Sequence, residues 1–111
     1  APPVDPLAGR LLRPIHTARL DEVRPVLVLP RAGVRPHRSR VTVAPITSTV
    51  RGLSVELALG PEDGMERHSV ANLDDVLTIP VDDLGPQIGA LCPSKEAALA
   101  AAVFHAFELS W

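Results

Sequence analysis

The chain has 111 residues and 46% hydrophobic content, enough for one domain with its own core and no need of disulfide or metal staples. A net charge of −2 argues against a general nucleic-acid binder; the single Cys92 excludes an intrachain disulfide and fits a reducing compartment; the four histidines show no metal-ligand spacing. No apolar run approaches ~18 residues and no secretory leader is legible, so a soluble cytoplasmic protein that does not enter a membrane is expected.

Residues 1–9 (APPVDPLAG) hold three prolines and little to bury, which predicts a flexible tail before one folded domain over 10–111. LLRPIHTARL predicts a first strand, with Pro14 confined to an edge or bulge because it has no amide for the ladder. RPVLVLP, residues 24–30, predicts the second: a short apolar run bounded by prolines reads as a strand covered on both faces. RAGVRPHRSR follows as a loop carrying Arg31, Arg35, His37, Arg38 and Arg40. VTVAPITST, residues 41–49, predicts a third strand on its β-branched content, bending or reaching an edge at Pro45 so that Thr47 is unusually presented. LSVELALG, residues 53–60, sets Leu53, Val55, Leu57 and Leu59 against Ser54, Glu56 and Ala58, the alternation of a half-buried fourth strand. PEDGMERH is turn-rich. Two short apolar pieces flank Asp74 and Asp75, and QIGALC ends the strands. PSKEAALAAAVFHAFELSW predicts a terminal helix with an apolar stripe of Leu99, Val103, Ala106 and Phe107. Closely spaced strands with one helix at the end predict antiparallel pairing in a small curled sheet or barrel.

Charge is divided along the chain. Up to Arg51 nine arginines face three acids, whereas from Gly52 onward Arg67 and Lys95 face ten. A basic surface for an anionic substrate beside an acidic one is one reading, and two solvated faces of a neutral domain is the other. There is no Gly-rich phosphate loop, no G-x-S-x-G elbow, no C-x-x-C and no helix-turn-helix. Asp74–Asp75 and Asp82–Asp83 are adjacent pairs whose members point to opposite faces of a strand, so neither builds a two-carboxylate site. His16, His37 and His68 are candidates for a general acid at neutral pH, and His105 for a surface contact. The remaining constellation is Arg24, the loop arginines, and Thr47, Ser48 and Thr49. Arg24 precedes Pro25 and is held in extended geometry, where its planar, permanently charged fork suits a phosphate and a threonine hydroxyl from the next strand adds a donor. The same residues equally describe an arginine paired with Asp21 or Glu22 at a strand end.

From Leu12 to the C-terminus the elements R-P-V-L-V, P-I-T-S, S-V, T-I-x-x-x-x-L and I-G-x-L, followed by an amphipathic helix, occur in an order that resembles the MazF/PemK family of toxin endoribonucleases, the mRNA interferases. The resemblance implies a small SH3-like barrel of the CcdB/PemK type that forms a homodimer and is restrained by a cognate MazE-like antitoxin. It implies sequence-specific cleavage of single-stranded RNA without metal or other cofactor, by 2′-hydroxyl attack that leaves 2′,3′-cyclic phosphate and 5′-hydroxyl ends. The family's catalytic arginine falls on Arg24 and its catalytic threonine on Thr47. Ser48 and Thr49 match its substrate-contacting neighbours, and Arg31, Arg35, Arg38 and Arg40 are expected to hold RNA. A guanidinium rarely gives up its proton, so Arg24 is expected to stabilise charge on the phosphate, and Thr47 to orient it.

The chain departs from the family in three places. RLDEV replaces a longer loop bearing G-x-E-Q, His68 stands where aspartate commonly precedes S-V, and without tyrosine there is little aromatic surface for base stacking. His68 and His16 are therefore possible acid–base groups. Two other functions fit the same fold: a non-enzymatic, CcdB-like toxin that binds DNA gyrase through the helix region and Trp111, or an inactive toxin homologue.

Overall fold

The computed structural model describes residues 13–30 and 39–108. The tail over 1–9, Arg31, Arg35, His37, Arg38 and Trp111 lie outside the described residues. Seven strands form in chain order: β1 (Pro14–Arg19), β2 (Val23–Val28), β3 (Arg40–Thr47), β4 (Glu56–Leu59), β5 (Ser69–Asn72), β6 (Leu77–Pro80) and β7 (Leu84–Ala90). Among the described residues one α-helix, α1 (Glu96–Ala106), follows the strands after a 3-10 turn over Pro93–Lys95. The strand order is β4-β5-β3-β2-β1-β7, all the pairings among these strands are antiparallel, and β6 pairs with β3 off this path. Among the described residues no ladder joins β4 to β7, so the expected barrel is an open, curled sheet.

β2 explains its own sequence. Ile15, Leu27 and Ala44 lie opposite one another across β1, β2 and β3 and belong to a core with Leu57, Leu59, Ala71, Leu73 and Leu91, on which α1 sets Leu99 and Ala102. Val26 and Val28 point the other way, into a second cluster with Ala18, Val41, Val43 and Ile79. Both faces are covered, and this is why the strand reads as an unbroken apolar run. Each such side chain contributes about 1.5–3 kcal/mol by leaving water.

Several boundaries differ from the sequence reading. β1 is an interior strand between β2 and β7, and Pro14 is tolerated there as its first residue, next to a register shift between Ile15 and His16. β4 begins only at Glu56, because the Glu56 carboxylate accepts the backbone N–H groups of Arg51 and Leu53 and turns the chain at Gly52, which has φ +74°. Leu53 is consequently 49% exposed. The two apolar pieces are β5 and β6, joined by a turn in which Asn72 Oδ1 accepts the Asp74 N–H at 2.9 Å and Asn72 Nδ2 donates to Asp75 at 3.0 Å. β7 starts earlier than QIGALC, since Leu84 already pairs with Ala18. The buried face of α1 is Leu99 and Ala102, with Val103 and Ala106 packed beside them, whereas Phe107 is 59% exposed.

The ends of the sheet are fastened by side chains and by close backbone packing. Arg13, just before β1, grips Glu96 of α1 with two bonds of 2.8 and 2.9 Å and donates to the Leu29 carbonyl. A 3-10 turn over Pro61–Asp63 packs so tightly on β7 that a Cβ at Gly89 would fall on the Asp63 carbonyl oxygen. Gly89→Ala is expected to destabilise the fold by about 2–3 kcal/mol through this overpacking, read as a lowered midpoint in urea unfolding.

Candidate active site

Pro25 and Pro45 stand near the end of one ladder, on opposite faces of the sheet. The β2–β3 ladder runs Val28↔Val43, Leu27↔Ala44, Val26↔Pro45 and stops there. The next hydrogen-bonded pair of this ladder would need the N–H of residue 25, which Pro25 lacks, so Val23–Pro25 and Ile46–Thr47 separate into the walls of an opening. Continued by two residues, the same register sets Arg24 opposite Thr47, on one face of the sheet. On its other edge β3 exchanges partners at this point, from β6 at Val43↔Leu77 to β5 at Ile46↔Ala71, so Thr47 stays fixed by pairing with Val70.

Two clefts meet along this line. The larger, of about 710 Å³, is walled by Glu22, Val23 and Arg24 on one side, Ile46, Thr47 and Ser48 on the next, and Met65, Glu66, Arg67, Ser69 and Ile88 across from them. The smaller, of about 430 Å³, lies between Leu20, Asp21 and Arg24 and the β5–β6 turn with Asn72 and Asp75. Arg24, Ile46 and Thr47 belong to both. The larger cleft mixes apolar side chains with hydroxyls and with two carboxylates, Glu22 and Glu66, and two guanidiniums, Arg24 and Arg67.

The other site candidates are placed as follows. Ser48 lines the larger cleft, and Thr49 is exposed outside it, donating its N–H to Thr47 Oγ1 at 3.1 Å. Arg40 stands at the opposite end of β3, where it donates to the Thr78 carbonyl, roughly 23 Å from Thr47 at ~3.3 Å per residue. It does not join the cleft. His68 is exposed and lines neither cleft. His16 Nδ1 lies 2.8 Å from the Gly85 carbonyl oxygen, its Nε2 is buried without a partner, and the ring lines neither cleft. Sequence reasoning misses Arg67 and Glu66. They sit in the GMERH stretch, whose signal is only that of a turn, and tertiary packing carries them to the cleft wall.

That wall is anchored from behind. Gly64, at φ +93°, lets the chain turn against β7, where a Cβ would come within 2.8 Å of the Ile88 carbonyl oxygen. Asp63, 1% exposed, accepts from the N–H of Gly60 at 3.0 Å, the N–H of Cys92 at 2.8 Å and Lys95 Nζ at 2.5 Å. Lys95 also reaches Glu62 at 2.7 Å and the Ala58 carbonyl at 3.1 Å. Burial pushes the Asp63 carboxyl up, but Lys95 and the two amides outweigh it and hold it below its ordinary 3.8. Burial likewise opposes the Lys95 charge, and Asp63 and Glu62 outweigh it, raising Lys95 above 10.5.

Among the described residues no group of three or more histidine, cysteine, aspartate or glutamate side chains is placed to hold a metal ion, and no helix is long and apolar enough to cross a membrane. An arginine fork and a threonine hydroxyl stand together at the end of the opened ladder, two kinds of donor suited to an anion. Residues 12–107 match the family described as the PemK-like, MazF-like toxin of type II toxin-antitoxin systems. The chain belongs to that family. "Endoribonuclease MazF3" of Mycobacterium tuberculosis is 55% identical over 100 residues, covering 90% of this chain and 97% of the relative. "Probable endoribonuclease MazF5" of the same species is 39% identical over 88 residues, covering 78% and 81%. Among solved structures, "Mycobacterium tuberculosis toxin MazF-mt6" superposes with a TM-score of 0.85 at 56% identity, over 89% of this chain and all of that one. A mycobacterial "Endoribonuclease in complex with its cognate antitoxin" shares the fold with a TM-score of 0.77 at 24% identity, over 88% and 94%.

Lys95→Met would leave the Asp63 carboxylate buried and unpaired, at an expected cost of about 2–3 kcal/mol. Asp63 contributes fully above its unfolded value and loses its contribution as pH falls through its lowered folded value. Lys95 contributes fully below 10.5 and loses its contribution as pH rises through its raised folded value. The stability gap between wild type and Lys95→Met should therefore be flat from about pH 5 to 9 and close at both ends, as measured by urea unfolding across pH.

Proposed function

We propose that the chain is the toxin of a type II toxin–antitoxin system and acts as a metal-independent endoribonuclease on single-stranded RNA. The observation that supports this reading is that Arg24 and Thr47 line the same two clefts, in a chain of the PemK-like, MazF-like family. RNA would lie across the ridge between the two clefts with one phosphate at Arg24. The nucleotide's 2′-hydroxyl attacks that phosphorus and gives up its proton to solvent water, the bond to the 5′-oxygen breaks and that oxygen takes a proton from water, and 2′,3′-cyclic phosphate and 5′-hydroxyl ends result. Arg24 neutralises the charge that builds on the phosphate oxygens, and Thr47 Oγ1 donates to one of them and fixes its orientation. Ser48 and Arg67 are placed to hold the flanking backbone in the larger cleft. The active species is a homodimer, and the restraining partner is a MazE-like antitoxin segment laid over the same clefts. A mycobacterial endoribonuclease of this fold in complex with its cognate antitoxin supports an antitoxin as partner.

The test is incubation with a long single-stranded RNA in EDTA, with cut sites mapped and the new ends characterised. Cuts at one short motif with cyclic phosphate and 5′-hydroxyl ends are expected. Arg24→Ala should lower the rate by about 10²–10³-fold and Thr47→Ala by less, both variants keeping the wild-type melting temperature. A folded Arg24→Ala protein that cuts at the wild-type rate would falsify the assignment.

A further inference from the structure

Arg24 is held from two directions by the turn that precedes it. Asp21 takes the side edge of the guanidinium, Oδ1 accepting from Nε at 3.2 Å and Oδ2 from Nη2 at 3.4 Å. Asp21 is itself pinned, because Oδ1 also accepts the Glu22 backbone N–H at 2.9 Å. That amide, followed by the guanidinium, lowers the Asp21 carboxyl below its ordinary 3.8, so the group is charged at neutral pH. Glu22 approaches differently, with Oε1 3.0 Å from Nη2 and its contact to Arg24 untethered by a bond of the Asp21 kind.

A guanidinium carries five N–H donors in a rigid plane, and an anion can take two parallel bonds along the Nε/Nη2 edge or along the Nη1/Nη2 edge. Asp21 fills the first edge. The second is left for a phosphate, and the Glu22 carboxylate stands as an ion pair, without an aligned hydrogen bond, beside Nη2, the nitrogen that both edges share. The carboxylates also fall on opposite sides of Arg24, Glu22 in the wall of the larger cleft and Asp21 in that of the smaller. We propose that Asp21 is a positioning residue that aims the free edge of Arg24 at the RNA phosphate, and that Glu22 is a competing anion that RNA must displace from that edge. The inference rests on Arg24 as the phosphate-binding group.

The division of labour has a kinetic signature. An exposed ion pair of this kind changes an equilibrium by no more than about fivefold, so RNA removes Glu22 readily but at a measurable cost in affinity. Losing the tethered carboxylate misaims the fork, which falls on the transition state more than on ground-state binding.

The experiment compares wild type, Asp21→Asn and Glu22→Gln in initial-rate cleavage of an RNA oligonucleotide carrying the mapped cut site. Binding is read separately with a single-stranded 2′-O-methyl oligonucleotide, which cannot cyclise. Both side chains are largely exposed, so folding is not at risk, and melting temperatures check it. Glu22→Gln should lower KM and the 2′-O-methyl Kd about threefold. Asp21→Asn should lower kcat about fivefold while Kd moves by less than about twofold. An unchanged Kd in Glu22→Gln, or an Asp21→Asn defect confined to KM and Kd, overturns the proposal. If the wild type cuts no RNA, the nuclease reading fails, while the binding shift of Glu22→Gln still decides whether that carboxylate competes for the fork.

Discussion

The end of the β2–β3 ladder at Val26↔Pro45 is the constraint on which the candidate site depends. Two antiparallel strands of this length would ordinarily continue to pair, bury their facing side chains and leave no space between them. Pro25 removes the amide that the next hydrogen-bonded pair needs, Pro45 interrupts the other edge of β3 where it passes from β6 to β5, and β2 and β3 diverge just before Arg24 and Thr47. The register set by the paired residues is inherited by the unpaired ones. A strand can thus be a rigid core element at Val26–Val28 and a presenting arm at Arg24, within six residues.

The opening is held at fixed width because everything behind it is packed or bonded. β2 is clamped through both faces by the two apolar clusters. β3 is held on its far edge by β5, and the opposite wall is held by the buried Asp63 carboxylate, which ties the 3-10 turn to Cys92 and Lys95 at the entrance to α1. Gly64 and Gly89 let the backbones of that turn and β7 meet without a side chain between them. The helix therefore supports the cleft it does not line. Charge follows the same plan: Lys95, one of two cations in the acidic half, is committed to internal carboxylates, and Arg67, the other, is carried to the cleft.

Where a segment's fate was decided locally, it was legible. The uninterrupted apolar run of β2, the β-branched content of β3 and the alanine-rich helix each announce themselves, because burial on both faces, pleat packing and backbone entropy act within a few residues. Leu53 failed the alternation rule because a neighbouring carboxylate offered its backbone a better set of acceptors than a strand partner. Phe107 fell outside the buried stripe because the helix ends at Ala106, and the buried face is made by Leu99 and the small Ala102. The closure of a barrel was not legible at all, since it depends on whether the first and last strands of the sheet meet.

By itself the sequence determined the antiparallel, mainly β class with one terminal helix, the family resemblance, and the pairing of an extended arginine with a threonine one strand later. These are consequences of side-chain period, proline chemistry and motif order, all of which are local. Only the tertiary structure decided that Arg40 stands at the far end of its strand, that Arg67 reaches the cleft, that His16 and His68 line neither cleft, and that both Asp21 and Glu22 grip Arg24. Those outcomes depend on register, on which edge a strand offers, and on how a turn folds back on itself. Each is fixed by contacts between residues far apart in the chain or by backbone angles that composition does not specify.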